Sequence, residues 1–199
     1  MVTTRAREGR VGTASRILDA AEKLVQVRGF NAFSYADVAA EVSISKAALH
    51  YHYPGKAELG EALITRYSAR FGQAMLALFA AAGTAQDKLA GYVGLFADVL
   101  REEKMCLCGM LAAEYHTLPV AMQASVLSFF ADNEAWLTQV LERGSAEGSV
   151  RLTGPARDTA LMILSGLEGA MLVARAYGDV DRFLTTADRL LSGLYLSSP

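Results

Sequence analysis

Between Ser34 and Leu59 the chain places hydroxyl, basic and imidazole side chains at a spacing suited to gripping a polyanion: Ser34, Ser45, Lys46, His50, Tyr51, His52 and Lys56, with the small Ala47 among them. Ser34 and Asp37 have the spacing of a capping box, which satisfies amide donors at a helix start and sets a carboxylate at the positive end of the dipole. Val38, Ala39 and Val42 form the apolar side of that helix. Ser43 and Ile44 make a turn, and Ser45 can cap a second short helix that Ala48 and Leu49 anchor against the first. Pro54 stops it. Lys46, Ala47, His50 and Tyr51 then face outward, the arrangement of a DNA-reading helix-turn-helix. Lys46, Ala47 and His50 suit base edges or nearby phosphates, Ala47 matching a thymine methyl. Tyr51, His52 and Lys56 suit phosphates, and His52 equally suits a plain helix cap.

The same run resembles the N-terminal DNA-binding domain of the TetR/AcrR family of one-component transcriptional regulators. That family's pattern is an apolar-Ala pair, a Gly-Val turn, then Leu-Tyr-x-His/Tyr-Phe-x-x-Lys-x-x-Leu. Here the places hold Val38-Ala39, Ser43-Ile44, Leu49-His50-Tyr51-His52-Tyr53, and Lys56 with Leu59. Ser43 replaces the usual turn glycine, which costs energy if the residue is left-handed, and His50 stands where tyrosine is commoner. The resemblance implies that Tyr53 packs into the three-helix core as the family's Phe does. It also implies a second helical domain that binds an effector and dimerises.

Composition fits this division. The chain has 199 residues, 52% of them hydrophobic, and a formal charge of −2. Residues 1–56 hold 8 Lys/Arg against 5 Asp/Glu, and residues 57–199 hold 11 against 16, giving +3 and −5. Arg5, Arg7, Arg10 and Arg16 make a basic arm and helix start able to neutralise phosphates, although a solvated tail explains Arg5 and Arg7 equally well. No apolar run approaches the roughly 20 residues of a membrane span, and the first residues lack the apolar core of a signal peptide. Two cysteines two residues apart imply no disulfide framework, so a cytoplasmic protein is expected.

Periodicity is helical throughout, and the expected fold is all-α with about nine helices. Ile17, Leu18, Ala21, Leu24 and Val25 mark a first helix over about 13–28, closed by Gly29 and followed by the wedges Phe30 and Phe33. From Lys56, a long fourth helix repeats Leu59, Leu63, Tyr67, Phe71, Met75 and Phe79. Further helices are expected at about 85–103, 106–115, 119–146, 155–177 and 179–196. The expected domains are residues 1–56 for DNA binding and 57–199 for ligand binding and dimerisation.

The sequence carries no His-Glu-x-x-His spacing, phosphate loop, glycine fingerprint or nucleophile elbow, so neither an enzyme nor a cofactor is expected. Adaptable apolar side chains at Phe71, Met75, Met105, Met110, Phe129, Trp136, Met162 and Met171 could wall a ligand cavity, with Glu114, His116, Asn133 and Glu168 orienting a small, largely apolar molecule. Core packing explains each of these residues singly. Cys106, followed by an apolar-small stretch and Ala-Glu, matches a cysteine that a subset of TetR-like regulators use to sense electrophiles or oxidants. Lys104 and the adjoining helix start could lower its pKa, while the alternative is a small buried hydrophobe.

Leu161, Leu164, Leu167, Ala170, Leu190 and Leu194 make more apolar stripe than a monomer should expose, suggesting a two-fold homodimer. Its heads would meet successive major grooves about 34–36 Å apart on a roughly palindromic double-stranded operator. The resemblance thus implies a ligand-released repressor. The alternatives are an activator, a helical small-molecule-binding protein whose DNA head is non-functional, or a thiol-based sensor.

Overall fold

The computed structural model describes residues 2–195, with side chains from residue 12 onward. Arg10, together with Arg5 and Arg7, therefore lies outside the residues whose side chains are described. Among the described residues the chain forms nine α-helices: α1 (Val2–Arg28), α2 (Tyr35–Val42), α3 (Lys46–His52), α4 (Lys56–Ala80), α5 (Ala85–Arg101), α6 (Leu107–Ala113), α7 (Val120–Ala146), α8 (Ala156–Tyr177) and α9 (Val180–Ser192). A 3-10 turn, Tyr115–Thr117, precedes α7, and the one pairing of extended backbone is a lone bridge between Val150 and Tyr195. The fold is thus all-α.

Two compact units result. One comprises Met1–Tyr67 with Leu107–Val126, the other Ser68–Cys106 with Leu127–Pro199. The chain changes unit inside α4 after Tyr67, again after Cys106, and inside α7 after Val126.

In the first unit, Ile17, Ala21 and Val25 of α1 are buried with Val38, Ala39 and Val42 of α2, Leu49 of α3, and Leu59, Leu63 and Ile64 of α4. The wedges Phe30 and Phe33 meet edge to face with centroids 5.7 Å apart. Gly29 ends α1 at φ +94°, a conformation that disfavours a side chain, and its N–H donates to Val25 O at 2.8 Å. Polar links brace the surface. Arg16 donates to Val42 O at 2.7 Å, Lys23 pairs with Glu41 at 2.9 Å, and Arg66 reaches Asp19 at 2.7 Å and Glu22 at 2.8 Å.

In the second unit, α5 starts with a capping box in which Thr84 N–H donates to Asp87 at 2.8 Å and Asp87 N–H returns to Thr84 Oγ1 at 3.3 Å. The hydrogen bonds made by Thr84 hold the Asp87 carboxyl below its ordinary range. Lys88 is buried because its ammonium closes the end of α4, donating to Ala81 O at 2.8 Å. Gly178 in the left-handed region ends α8, and Asp179 caps α9 by accepting from Arg182 N at 3.2 Å.

Helix α8 corrects one expectation: at 22 residues it is long and apolar enough, by length and composition, to cross a membrane. It is also two-faced. Ala160, Ile163, Leu164, Leu167, Met171 and Ala174 are buried where α8 packs on α9 and α5, while Leu161, Met162, Leu172, Val173 and Tyr177 are exposed. Glu168 and Arg175 on the same helix fit a core helix better than a lipid-facing one.

Candidate nucleic-acid interface and ligand site

Helix α3 and its approach are built as their spacing requires. Ser34 N–H and hydroxyl both donate to Asp37 Oδ2 at 2.7 Å, and these bonds hold the Asp37 carboxyl low. The Ser34 hydroxyl is therefore occupied at the start of α2. Ser43 adopts φ 58°, ψ 48°, so the turn is left-handed without a glycine, at a cost of about 1–2 kcal/mol. Ser45 accepts from Ala48 N at 3.1 Å, starting α3. Leu49 is fully buried, whereas Lys46, Ala47, His50 and Tyr51 are exposed along one side of α3.

The neighbours of α3 fix its tilt. Tyr35 donates its hydroxyl to Tyr53 O at 2.9 Å, and burial, together with Glu58 and Tyr53, pushes its pKa up to about 12. The Tyr35 ring lies 4.7 Å from that of His50, whose Nδ1–H donates to Pro54 O at 3.0 Å. His52 is half-buried against the edge of Tyr51, at 5.6 Å. Tyr53 is half-buried rather than fully internal.

Lys56 corrects the sequence reading. Its ammonium donates to Phe33 O at 2.6 Å and lies over the rings of Phe30 and Phe33, at 4.7 and 4.3 Å. Burial lowers its pKa, and Glu114 and Asp37 act the other way. The side chain braces the loop between α1 and α2.

Glu114 is also corrected. Its carboxylate accepts from Phe30 N at 2.6 Å and Asn31 N at 3.2 Å, while Asn31 Nδ2 donates to Thr117 Oγ1 at 2.7 Å. It latches α6 to the same loop within the first unit. Met110 and His116 belong to that unit too, and His116 is exposed.

The second unit gathers the other candidates around aromatic rings. Phe71 of α4 meets Tyr92, Phe96 and Phe129 edge to face at 6.1, 5.8 and 5.3 Å, and Tyr92 stacks on Trp136 at 5.2 Å. Tyr92 donates to Asn133 Oδ1 at 2.8 Å, Asn133 Nδ2 donates to Phe129 O at 2.7 Å, and Trp136 Nε1 donates to Met75 O at 2.9 Å. Met105 and Met171 are buried in the same unit, but Met162 is exposed on α8 and leaves the group. Glu168 sits near Tyr92 and the Cys106 thiol. Burial pushes its pKa up to about 7, partly offset by that thiol.

Tyr92 and Phe96 were missed by sequence reasoning. Their signal was present: two aromatics four residues apart on the apolar side of α5.

Cys106 and Cys108 are both fully buried, and Lys104 is engaged with Glu102 at 2.6 Å rather than with Cys106. The predicted seam on α8 and α9 also divides. Leu164, Leu167 and Leu194 are buried within the chain, and a Cβ on Gly166 would meet Leu190 at 2.8 Å, so these residues hold α9 to α8. Ala170 is half-buried, and of the predicted leucines Leu161 is the one that reaches the exposed stripe.

Comparison with known proteins agrees with this geometry. Residues 17–63 match the model of bacterial regulatory proteins of the tetR family. A transcriptional regulator of the TetR family from Agrobacterium tumefaciens is 33% identical, with 94% of this chain and 100% of that one covered and a TM-score of 0.91. A TetR transcriptional regulator from Legionella pneumophila is 32% identical over 90% of this chain and 95% of its own, with a TM-score of 0.82. A regulator from Saccharomonospora viridis, whose crystal structure is a complex with choline, is 20% identical over 94% of this chain and 100% of its own, with a TM-score of 0.80. No curated protein matches the sequence.

Proposed function

Because the chain belongs to the TetR family of DNA-binding transcriptional regulators, which are not enzymes, we propose that it is a repressor that leaves a palindromic operator when a small, largely apolar effector binds its second unit. One observation carries this reading. On α3, Leu49 is fully buried and the helix ends are fixed by Ser45 and Pro54, so Lys46, Ala47, His50 and Tyr51 are presented together on a rigid support. Lys46 and Tyr51 grip phosphate, while Ala47 and His50 face base edges.

A homodimer is supported by the exposed stripe Leu161, Met162, Leu172, Val173 and Tyr177, with Gly169 in open space between its ends. The chain runs from one unit into the other inside α4, from Cys106 into α6, and inside α7, so an effector that favours one arrangement of the second unit biases the first by its differential affinity. We read the activity as cytoplasmic, where an operator would be met.

Selection of bound duplexes from a random-sequence pool tests the reading. The expected product is an inverted repeat whose half-sites lie one helical turn apart. An asymmetric enriched site, or none, contradicts it.

A further inference from the structure

Hydrogen-bond donors around the ring cluster are already committed. The Tyr92 hydroxyl serves Asn133, the Asn133 amide serves Phe129 O, and the Trp136 indole serves Met75 O. Glu168 is left over. Both of its carboxylate oxygens are sealed from solvent and neither accepts a hydrogen bond of good geometry. The Cys106 thiol, a weak donor, is the one group acting to keep it charged. Interiors seldom leave a carboxylate in this condition, because an ionised group without donors forfeits its hydration for nothing in return.

We propose that the second unit recognises an organic ammonium ion, its N–H donors engaging the Glu168 carboxylate and its apolar body lying against the Tyr92, Phe96 and Phe129 rings. The inference rests on the reading of this unit as the effector domain and narrows the effector to a cation. A positive charge beside the carboxylate restores its ionised form, and N⁺–H to carboxylate bonds are the strong, short kind. Aromatic faces favour a cation further, so one ligand satisfies both parts of the cluster. A neutral alcohol supplies a donor but no charge to hold Glu168 ionised.

The test uses the full chain and a panel of primary ammonium compounds, from propyl to octyl and from benzyl to phenylbutyl, each beside its matched alcohol, by calorimetry at pH 8. At least one ammonium compound should bind about tenfold or more tightly than its alcohol, and Glu168→Gln should abolish that preference while still unfolding cooperatively on heating. Ammonium affinity of the wild-type protein should fall by about tenfold per pH unit below pH 7, as protons compete with the ligand for the Glu168 carboxylate; this readout stands even if the variant fails to fold. Alcohols that bind as well as ammonium compounds and release DNA overturn the cation and leave the apolar-effector reading in place. A panel of which no member binds overturns the cation, and a preference that survives in Glu168→Gln removes Glu168 from recognition.

Discussion

The Glu114 carboxylate accepts the Phe30 backbone N–H at 2.6 Å, joining residues 84 positions apart at the loop that leads into α2 and α3. The same carboxylate takes Asn31 N–H and lies 2.9 Å from where a Cβ on Gly29 would stand, so the loop closes around it. Whatever moves α6 also pulls on this loop.

Glu114→Ala leaves the Phe30 and Asn31 donors without a carboxylate, and the cost is about 1–3 kcal/mol. At roughly 2–4 °C per kcal/mol for a chain of this size, calorimetry should show a clear fall in Tm. An unchanged Tm would show that the latch contributes nothing.

Lys46 and Lys56 should separate. Lys46→Ala should weaken DNA binding and reduce the salt slope by about one, with Tm unmoved. Lys56→Ala, which removes the bond to Phe33 O and the contact with two rings, should cost about 1–2 kcal/mol, roughly 2–8 °C, and leave the salt slope alone. A salt slope that drops for Lys56→Ala would return that lysine to the interface.

Much of this was legible in the sequence. The caps Ser34 and Ser45 and the stops Gly29 and Pro54 set local boundaries, and the expected spans 119–146 and 155–177 lie within one residue of α7 and α8. Lys56 and Glu114 were misread because their partners are 23 and about 84 residues away, beyond the reach of periodicity. The face of α8 was misread for another reason. Both sides of that helix are apolar, and only packing against α9 distinguishes Leu167, wholly buried, from Val173, half exposed.

That distinction predicts opposite outcomes. Leu167→Glu buries an unpaired charge and should abolish cooperative unfolding rather than yield a folded monomer. Val173→Glu lies on the exposed stripe and should give a folded monomer by sizing, with operator affinity lost. A Val173→Glu variant that elutes like the wild-type protein would move the dimer seam elsewhere.

Glu168 makes stability depend on pH. Its folded pKa of about 7 lies above its ordinary value of 4.5, so the folded state holds the extra proton. The stability contribution is full below pH 4.5, declines through the interval and is lost above pH 7, a difference of about 3 kcal/mol. The ionisable groups facing it are the Tyr92 hydroxyl, pushed far up by burial, and the Cys106 thiol. Denaturant unfolding at pH 5 and pH 8 should show the loss in the wild-type protein and a smaller one in Glu168→Gln. Equal losses would assign the pH dependence to other groups.

Reading of DNA by the exposed side of α3 underlies each of the DNA-binding outcomes above. Anisotropy titration of duplexes tiled across the region upstream of the protein's own gene, at about 150 mM salt, tests it most directly. One segment should bind at least about 10³-fold more tightly than random duplex, with that preference reduced in His50→Ala. Affinity equal for every segment and for random DNA would contradict it.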